Sequence, residues 1–215
     1  MKVALIGATG FVGNAILKEL VERGHSVTAI ARDVTKIAAQ NNVTAVKADV
    51  MNEDELAATV KGSDAVISAY NAGWTNPNIY ADFLKGSKAI QSAVKKSEVK
   101  RLIVVGGAGS LFVGNVQLVD RPDFPEAYKA GALAAKEYLD ILQNETTLDW
   151  TFLSPAIEMH PGTSGIRKGT YRSGLENPVF DANGKSVISV EDLAVAITDE
   201  LETPKHIKKR FTVAY

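Results

Sequence analysis

The chain has 215 residues, 46% of them hydrophobic and 23% charged, enough apolar material for a single α/β domain whose core needs no covalent staple. The absence of cysteine excludes disulfides, thiolate metal sites and a thiol nucleophile; three scattered histidines (His25, His160, His206) argue against a metal centre, and a net charge of −1 gives no basic field for nucleic acid. No apolar stretch approaches the roughly 18 residues a membrane span needs, and a first strand starting at residue 2 leaves no room for a signal peptide, so a cytoplasmic protein with neither nucleic-acid nor membrane partners is expected.

The first predicted strand, residues 2–6, is Lys2-Val3-Ala4-Leu5-Ile6, and Gly7-Ala8-Thr9-Gly10-Phe11-Val12-Gly13 follows at once. A helix is predicted over 11–23, with Val12, Ile16 and Leu20 on one stripe, Leu17 and Val21 beside it, and Gly24 as a left-handed stop. Strand, glycine-rich turn and helix together are the setting of a dinucleotide site. There Gly7 takes backbone angles a side chain would forbid, Gly10 lets the main chain approach a pyrophosphate, and Gly13 lets the helix pack closely. Phosphates then sit on the free N–H groups of the helix start, making Gly7, Thr9, Gly10, Phe11, Val12 and Gly13 candidate cofactor contacts.

The second strand, 26–31, ends in Arg32-Asp33. An acidic residue here reads the ribose hydroxyls of NAD, whereas a cation reads the 2′-phosphate of NADP. Arg32 comes first and Lys36 adds charge, so NADP(H) is favoured over NAD(H), with Asp33 pairing Arg32 or capping the next turn. After the third strand, 43–48, Asp49 and Val50 either meet the adenine or shape the loop before a helix at 53–60, which Asn52 with Glu55 caps. The fourth strand, 64–69, runs into Ser68-Ala69-Tyr70-Asn71-Ala72-Gly73, whose small residues, Ser68 and Ala69 foremost, let a cofactor cross the sheet edge. A helix at 77–96 leads to the fifth strand, 101–106, ending in the candidate contact Gly106.

Two stretches then break the rhythm. Residues 107–126, with three glycines and two prolines, precede a helix at 127–143; residues 155–189 separate a strand at 149–153 from a helix at 190–201 that Ser189 and Asp192 cap. Both follow strand carboxyl ends, where open α/β sheets bind ligands, and 155–189 is expected to form a small lid or substrate subregion within one domain spanning 1–215. Its Arg167, Lys168 and Arg172 either attract an anionic substrate or stay solvated, and the basic run Lys205–Arg210 is expected as a solvated turn before the last strand, 210–214. The alternation as a whole predicts a doubly wound parallel sheet, α/β and Rossmann-like, with helices 77–96 and 127–143 also offering a surface for a homodimer.

Further blocks follow the glycine motif in order: Gly106-Gly107-Ala108-Gly109-Ser110-Leu111, Asp149-Trp150-Thr151-Phe152-Leu153-Ser154-Pro155-Ala156, Gly169-Thr170-Tyr171-Arg172, Ile188-Ser189-Val190-Glu191-Asp192-Leu193-Ala194 and Arg210-Phe211-Thr212-Val213-Ala214-Tyr215. With these the chain resembles the atypical NAD(P)-binding branch of the short-chain dehydrogenase/reductase superfamily. Over essentially its whole length it is similar to the bacterial proteins named NADH-flavin reductases, relatives of NmrA-like and flavin/biliverdin reductase proteins. The resemblance implies a Rossmann-like fold binding NAD(P)(H) and hydride transfer to a small flavin-like or quinone-like acceptor.

The superfamily's usual site is a Ser with Tyr-x-x-x-Lys on a helix, the Lys lowering the Tyr pKa. Tyr128 and Ser110 are the matching catalytic candidates, but the residue four after Tyr128 is Ala132; Lys129 points about 100° away around the helix, and Lys136 is two turns on. Carbonyl reduction wants a tuned proton donor, whereas a flavin or quinone delocalises the incoming charge, so the broken pair favours the latter acceptors. The alternative is a non-catalytic redox sensor that binds NAD(P)(H) and regulates a protein partner. Pro155 is expected as an apolar wall beside the nicotinamide and His160 as a donor or an exposed loop residue, while Trp74, Phe112 and Tyr171 either stack on a planar substrate or pack.

Overall fold

Valine, isoleucine and alanine crowd the strand segments, and the structure, a computed structural model describing residues 1–215, pairs most of them into one sheet. The strands are β1 (Lys2–Ile6), β2 (Ser26–Ala31), β3 (Val43–Lys47), β4 (Ala65–Ser68), β5 (Arg101–Val105), β6 (Phe112–Val113), β7 (Val116–Gln117), β8 (Asp149–Ser154), β9 (Arg172–Gly174) and β10 (Lys209–Ala214). Eight of them lie in the order β3-β2-β1-β4-β5-β8-β10-β9, while β6 and β7 form a separate hairpin. All pairings in the large sheet are parallel except β9, which runs antiparallel to β10 at the edge. The chain leaves β1 toward β2 and returns to β4 on its other side, so the strand order reverses between β1 and β4, the place where such sheets open a ligand crevice.

Five helices cover the two faces: α1 (Phe11–Glu22), α2 (Glu53–Val60), α3 (Ile79–Lys96), α4 (Glu126–Gln143) and α5 (Val190–Glu202). Successive strand residues point to opposite faces, and β1 illustrates the result. Ile6 joins Leu102, Trp150 and Phe152 under α2, α3 and α4, while Leu5 joins Ile67, Phe211 and Val213 under α1 and α5. Helices α3 and α4 lie side by side on their face, tied by Gln91 and Lys95 to the Glu145 carboxylate (2.9 and 3.0 Å), so much of their apolar surface covers the sheet and each other.

β3 is an edge strand, with Thr44, Ala45 and Lys47 exposed. Two expectations need correction. The basic run 205–210 is not a solvated turn throughout. The His206 ring stacks on Phe211 at 4.3 Å and bonds the Glu200 carboxylate, and Arg210 is buried in β10 beside Glu176 and Ser110. Within 155–189, the segment 165–171 is fastened along α1 and α5 rather than closing over the crevice. Gly165 donates its amide to Glu191, Lys168 and Gly169 donate theirs to the buried Asp192, Arg167 forks onto Glu19, the Tyr171 hydroxyl bonds Asp199, and the segment ends by adding β9 to the sheet. The sequence carries no signal for β9, because three residues ending in a glycine show no periodicity.

Candidate functional site

The turn after β1 is shaped by what its glycines lack. Gly7 has φ +80°, and a Cβ there would lie 2.6 Å from the Ala69 carbonyl oxygen, so residue 7 must be glycine both for its angles and for its neighbour. A Cβ on Gly13 would stand 2.1 Å from the Gly7 carbonyl oxygen; its absence lets α1 begin directly against the turn. Gly10 is different, since a Cβ there would meet nothing closer than 3.4 Å. Residue 10 is thus free of internal demand, and its bare backbone borders the crevice.

Helix α1 also starts without a side-chain cap, and the amides of Phe11, Val12 and Gly13 find no acceptor within the protein. By contrast Asn52 and Ser189 supply caps to α2 and α5. Unpaired N–H groups at the positive end of a helix dipole favour an anion. A groove of about 260 Å³ adjoins this helix start at Gly10; it is lined by Gly7, Thr9, Gly10, Arg32, Val50 and Ala69 among the predicted contacts, together with Asp33, Lys36, Tyr70 and Asn71, whereas Phe11, Val12 and Gly13 lie beside it. The Arg32 guanidinium has no hydrogen-bond or ion-pair partner in the protein. Asp33 does not pair with it; its carboxylate instead accepts from the Thr35 hydroxyl (2.6 Å) and amide (3.0 Å), which hold it below the usual carboxylate range. A groove with one free guanidinium and three free amides beside it matches a ligand with a pyrophosphate and a further phosphate, and the one carboxylate on its lining, Asp33, is engaged by Thr35.

Other predicted contacts fall beside the groove rather than in it. Asp49 takes the loop role, accepting from the Met51 amide at 3.0 Å. Ser68 is buried in β4, one residue short of the lining. The Gly106 amide donates to the Leu153 carbonyl at 2.8 Å, and a Cβ at Gly106 would lie 2.0 Å from the Phe152 ring, so this glycine serves the packing of β5 on β8. Pro155 is buried at the carboxyl end of β8. Tyr70 was read only as part of a run of small residues. It forms the groove wall, with its ring seated against Gly86 of α3 and its hydroxyl donating to the Asp82 carbonyl at 3.0 Å; burial raises its pKa.

The two catalytic candidates separate. Ser110 faces inward: it is 2% exposed, and the Arg210 guanidinium donates to its hydroxyl at 3.1 Å, so it is a brace of the 107–120 loop and not a substrate contact. Tyr128 stands in the open at 52% exposure at the start of α4, with no hydrogen bond to its hydroxyl and its ring edge-to-face with Trp74. No lysine backs it, since Lys129 lies 4.0 Å from Glu126 and Lys136 bonds Asp120 at 3.0 Å. His160 caps its own loop by accepting the Gly162 amide. Of the charges in 155–189, Arg167 is spent on Glu19, Lys168 lies over the Tyr215 ring at 3.4 Å, and Arg172 donates to the Phe180 carbonyl, which removes them as substrate magnets.

Comparisons with known proteins bear on the fold and on the class of cofactor. A family model described as NAD(P)H-binding matches residues 7–204. The chain is 42% identical to Uncharacterized protein YwnB of Bacillus subtilis, covering 99% of this chain and 98% of that one. Among solved structures, a candidate epimerase from Bacteroides thetaiotaomicron is 45% identical with a TM-score of 0.92, covering 100% of this chain and 96% of that one. A candidate NADH-flavin reductase from Streptococcus pneumoniae is 38% identical with a TM-score of 0.87, covering 100% and 99%. No helix is long and apolar enough to cross a membrane.

Proposed function

The chain belongs to the NAD(P)H-binding family, and from that premise we propose that it is an oxidoreductase that uses NADPH to reduce a flavin-like or quinone-like acceptor. The observation that carries the cofactor preference is the unpartnered Arg32 guanidinium on the groove, with Lys36 also on the lining and the Asp33 carboxylate, which lines it too, engaged by Thr35. In that arrangement the free amides of Phe11, Val12 and Gly13 hold the pyrophosphate, Arg32 grips the 2′-phosphate, and Val50 and Ala48 give the adenine an apolar wall. Tyr70 and Ala69 carry the groove across the β1–β4 switch point toward the carboxyl ends of β4 and β5.

The nicotinamide, when bound, supplies a hydride. The acceptor takes that hydride and one proton, becoming a dihydroflavin or a hydroquinone while the cofactor leaves oxidised. The protein has no cation to tune Tyr128, and Ser110 is sealed under Arg210, so the proton comes from water at the open rim. An acceptor that spreads charge over a conjugated ring tolerates this, whereas an isolated carbonyl does not. The name of the Streptococcus pneumoniae relative supports the same acceptor class.

The test is to titrate the purified protein with NADPH and with NADH, then follow nicotinamide absorbance on adding flavin mononucleotide or a simple quinone. Tighter NADPH binding and acceptor-dependent oxidation are expected. Tight binding without oxidation by any acceptor would replace this reading with the redox sensor, which the missing Tyr-x-x-x-Lys spacing also favours.

A further inference from the structure

Large aromatic side chains are rarely left open to water without a use, and two adjacent ones make an apolar patch. Trp74 and Tyr128 are 55% and 52% exposed, whereas the other tryptophan, Trp150, is 2% exposed in the core. Their rings meet at 5.3 Å and 87°, an edge-to-face pair. Such a contact occupies an edge of one ring and a face of the other, which leaves a broad aromatic surface facing outward.

The pair is held, not loose. Asn71 accepts the Gly73 amide at 2.7 Å, and Asn76 accepts the Asn78 amide at 2.9 Å while donating to the Asp82 carboxylate at 2.8 Å, so the loop carrying Trp74 is stitched to itself and to α3. Room for the indole comes from Gly131, where a Cβ would lie 2.8 Å from Trp74 Cζ3. Glycine inside a helix costs about 1 kcal/mol relative to alanine, and here the gap admits the tryptophan ring.

The position is equally specific. Trp74 stands three residues after Asn71 of the groove, in the loop leaving the carboxyl end of β4; Tyr128 stands where the chain re-enters a helix after leaving β5. Their parent loops leave β4 and β5, which lie on the far side of β1 in strand order from β2 and Arg32, the side toward which the groove runs in the arrangement above. The other candidate stacking rings are committed elsewhere: Phe112 is half-buried in the β6–β7 hairpin, and Tyr171 is bonded to Asp199 on the α5 side.

We propose that the open surface of the Trp74–Tyr128 pair is the docking platform for the planar ring of the electron acceptor. The proposal rests on the reductase reading and adds the residues that select the acceptor's shape. Trp74 supplies the stacking surface, Tyr128 fixes its orientation through their edge-to-face contact, and the Tyr128 hydroxyl has no part in proton transfer.

Steady-state kinetics with NADPH and flavin mononucleotide would be compared for the wild type, Trp74→Ala and Trp74→Phe. In parallel, binding of oxidised flavin mononucleotide to the NADP⁺-loaded protein would be read from quenching of flavin emission. Trp74→Ala should raise KM and weaken flavin binding about tenfold, leave kcat within about threefold and leave NADPH affinity unaltered, and Trp74→Phe should restore most of the loss. Wild-type turnover with KM and flavin binding unmoved in Trp74→Ala would overturn the platform and leave the reductase reading standing. Flavin binding lost in Trp74→Ala, with no turnover in the wild type, would keep the platform and overturn the reading. A wild type that binds NADPH but neither binds nor reduces flavin or quinone would overturn both.

Discussion

The groove at the carboxyl ends of β1, β2 and β4 and the strap at 161–171 lie on either side of α1, and each carries an arginine that a sequence reader would give to an anion. Arg32 in the groove has no partner, beside amides that also have none. Arg167 in the strap forks onto Glu19 at 2.8 Å through two nitrogens, and Arg23 donates to the same carboxylate at 2.8 Å while also reaching Asp199. Glu19 is only 3% exposed, so this is a satisfied node at the edge of the core. The contrast teaches how to tell a ligand-binding cation from a structural one. The structural cation has its donors spent on carboxylates that the fold has buried, while the ligand-binding one is presented by a strand end with its donors idle. Four measurements would break or sharpen this division.

The largest effect is expected where the groove depends on backbone approach. Gly13→Val places carbon where the Gly7 carbonyl already lies, and neither the turn nor α1 has room to yield. A loss of about 3 kcal/mol or more in chemical denaturation is expected, with loss of cofactor binding. Gly10→Ala should keep its stability within about 0.5 kcal/mol and weaken NADPH binding, because its Cβ meets open space that the ligand would use. If Gly10→Ala proved as unstable as Gly13→Val, the turn would be a packing device throughout.

Next comes the strap. The bond from Arg167, against the opposing effect of burial and with help from Arg23, holds the Glu19 carboxyl below its ordinary range. A lowered folded pKa stabilises the protein fully above the unfolded value near 4.5, and that stability drains away as pH falls below it. Glu19→Ala should therefore cost about 2 kcal/mol at neutral pH and flatten the loss of stability between pH ~5 and the acid limit. NADPH affinity should be unmoved. A change in affinity would mean that the strap communicates with the groove through α1, which the two share.

Arg32→Ala reverses the pattern. Stability should stay within about 0.5 kcal/mol, since no intramolecular bond is lost. NADPH should bind about 10- to 100-fold more weakly, the worth of a charge-assisted phosphate contact, with NADH little altered. Equal losses for both cofactors would place Arg32 on a phosphate they share.

These contrasts also explain what could be read from the chain alone. The strand–glycine–helix opening is legible because the three glycines fall within one short turn, although the demand on Gly7 comes in part from distant Ala69 and Gly10 carries no internal demand; the doubly wound sheet follows from the alternation of apolar runs. The partners of individual charges were not legible. Arg167 and Glu19 are 148 residues apart, and nothing near either one in sequence announces the other. Ser110 looked available in a glycine-rich loop, but its hydroxyl faces Arg210 from a strand 100 residues on. Tyr70 lies in a stretch that reads for its small residues, and Trp74 just after it reads equally as stacking or packing; the space for their rings comes from Gly86 and Gly131, on two different helices.

The smallest effect concerns Tyr128, where the two halves of the site meet. A general acid contributes about 10²- to 10⁴-fold, and removing its proton should show a loss of that size. Tyr128→Phe keeps the ring packed against Trp74 and deletes only an unpartnered hydroxyl, so kcat should fall by no more than about threefold with flavin mononucleotide as acceptor. Tyr128→Ala deletes the ring and should instead raise KM, by about three- to fivefold, as Trp74 loses its brace. A hundredfold fall in kcat for Tyr128→Phe would show the hydroxyl delivering a proton without a lysine to tune it. The rim would then be a catalytic site in its own right, and acceptors with an isolated carbonyl would come within its reach.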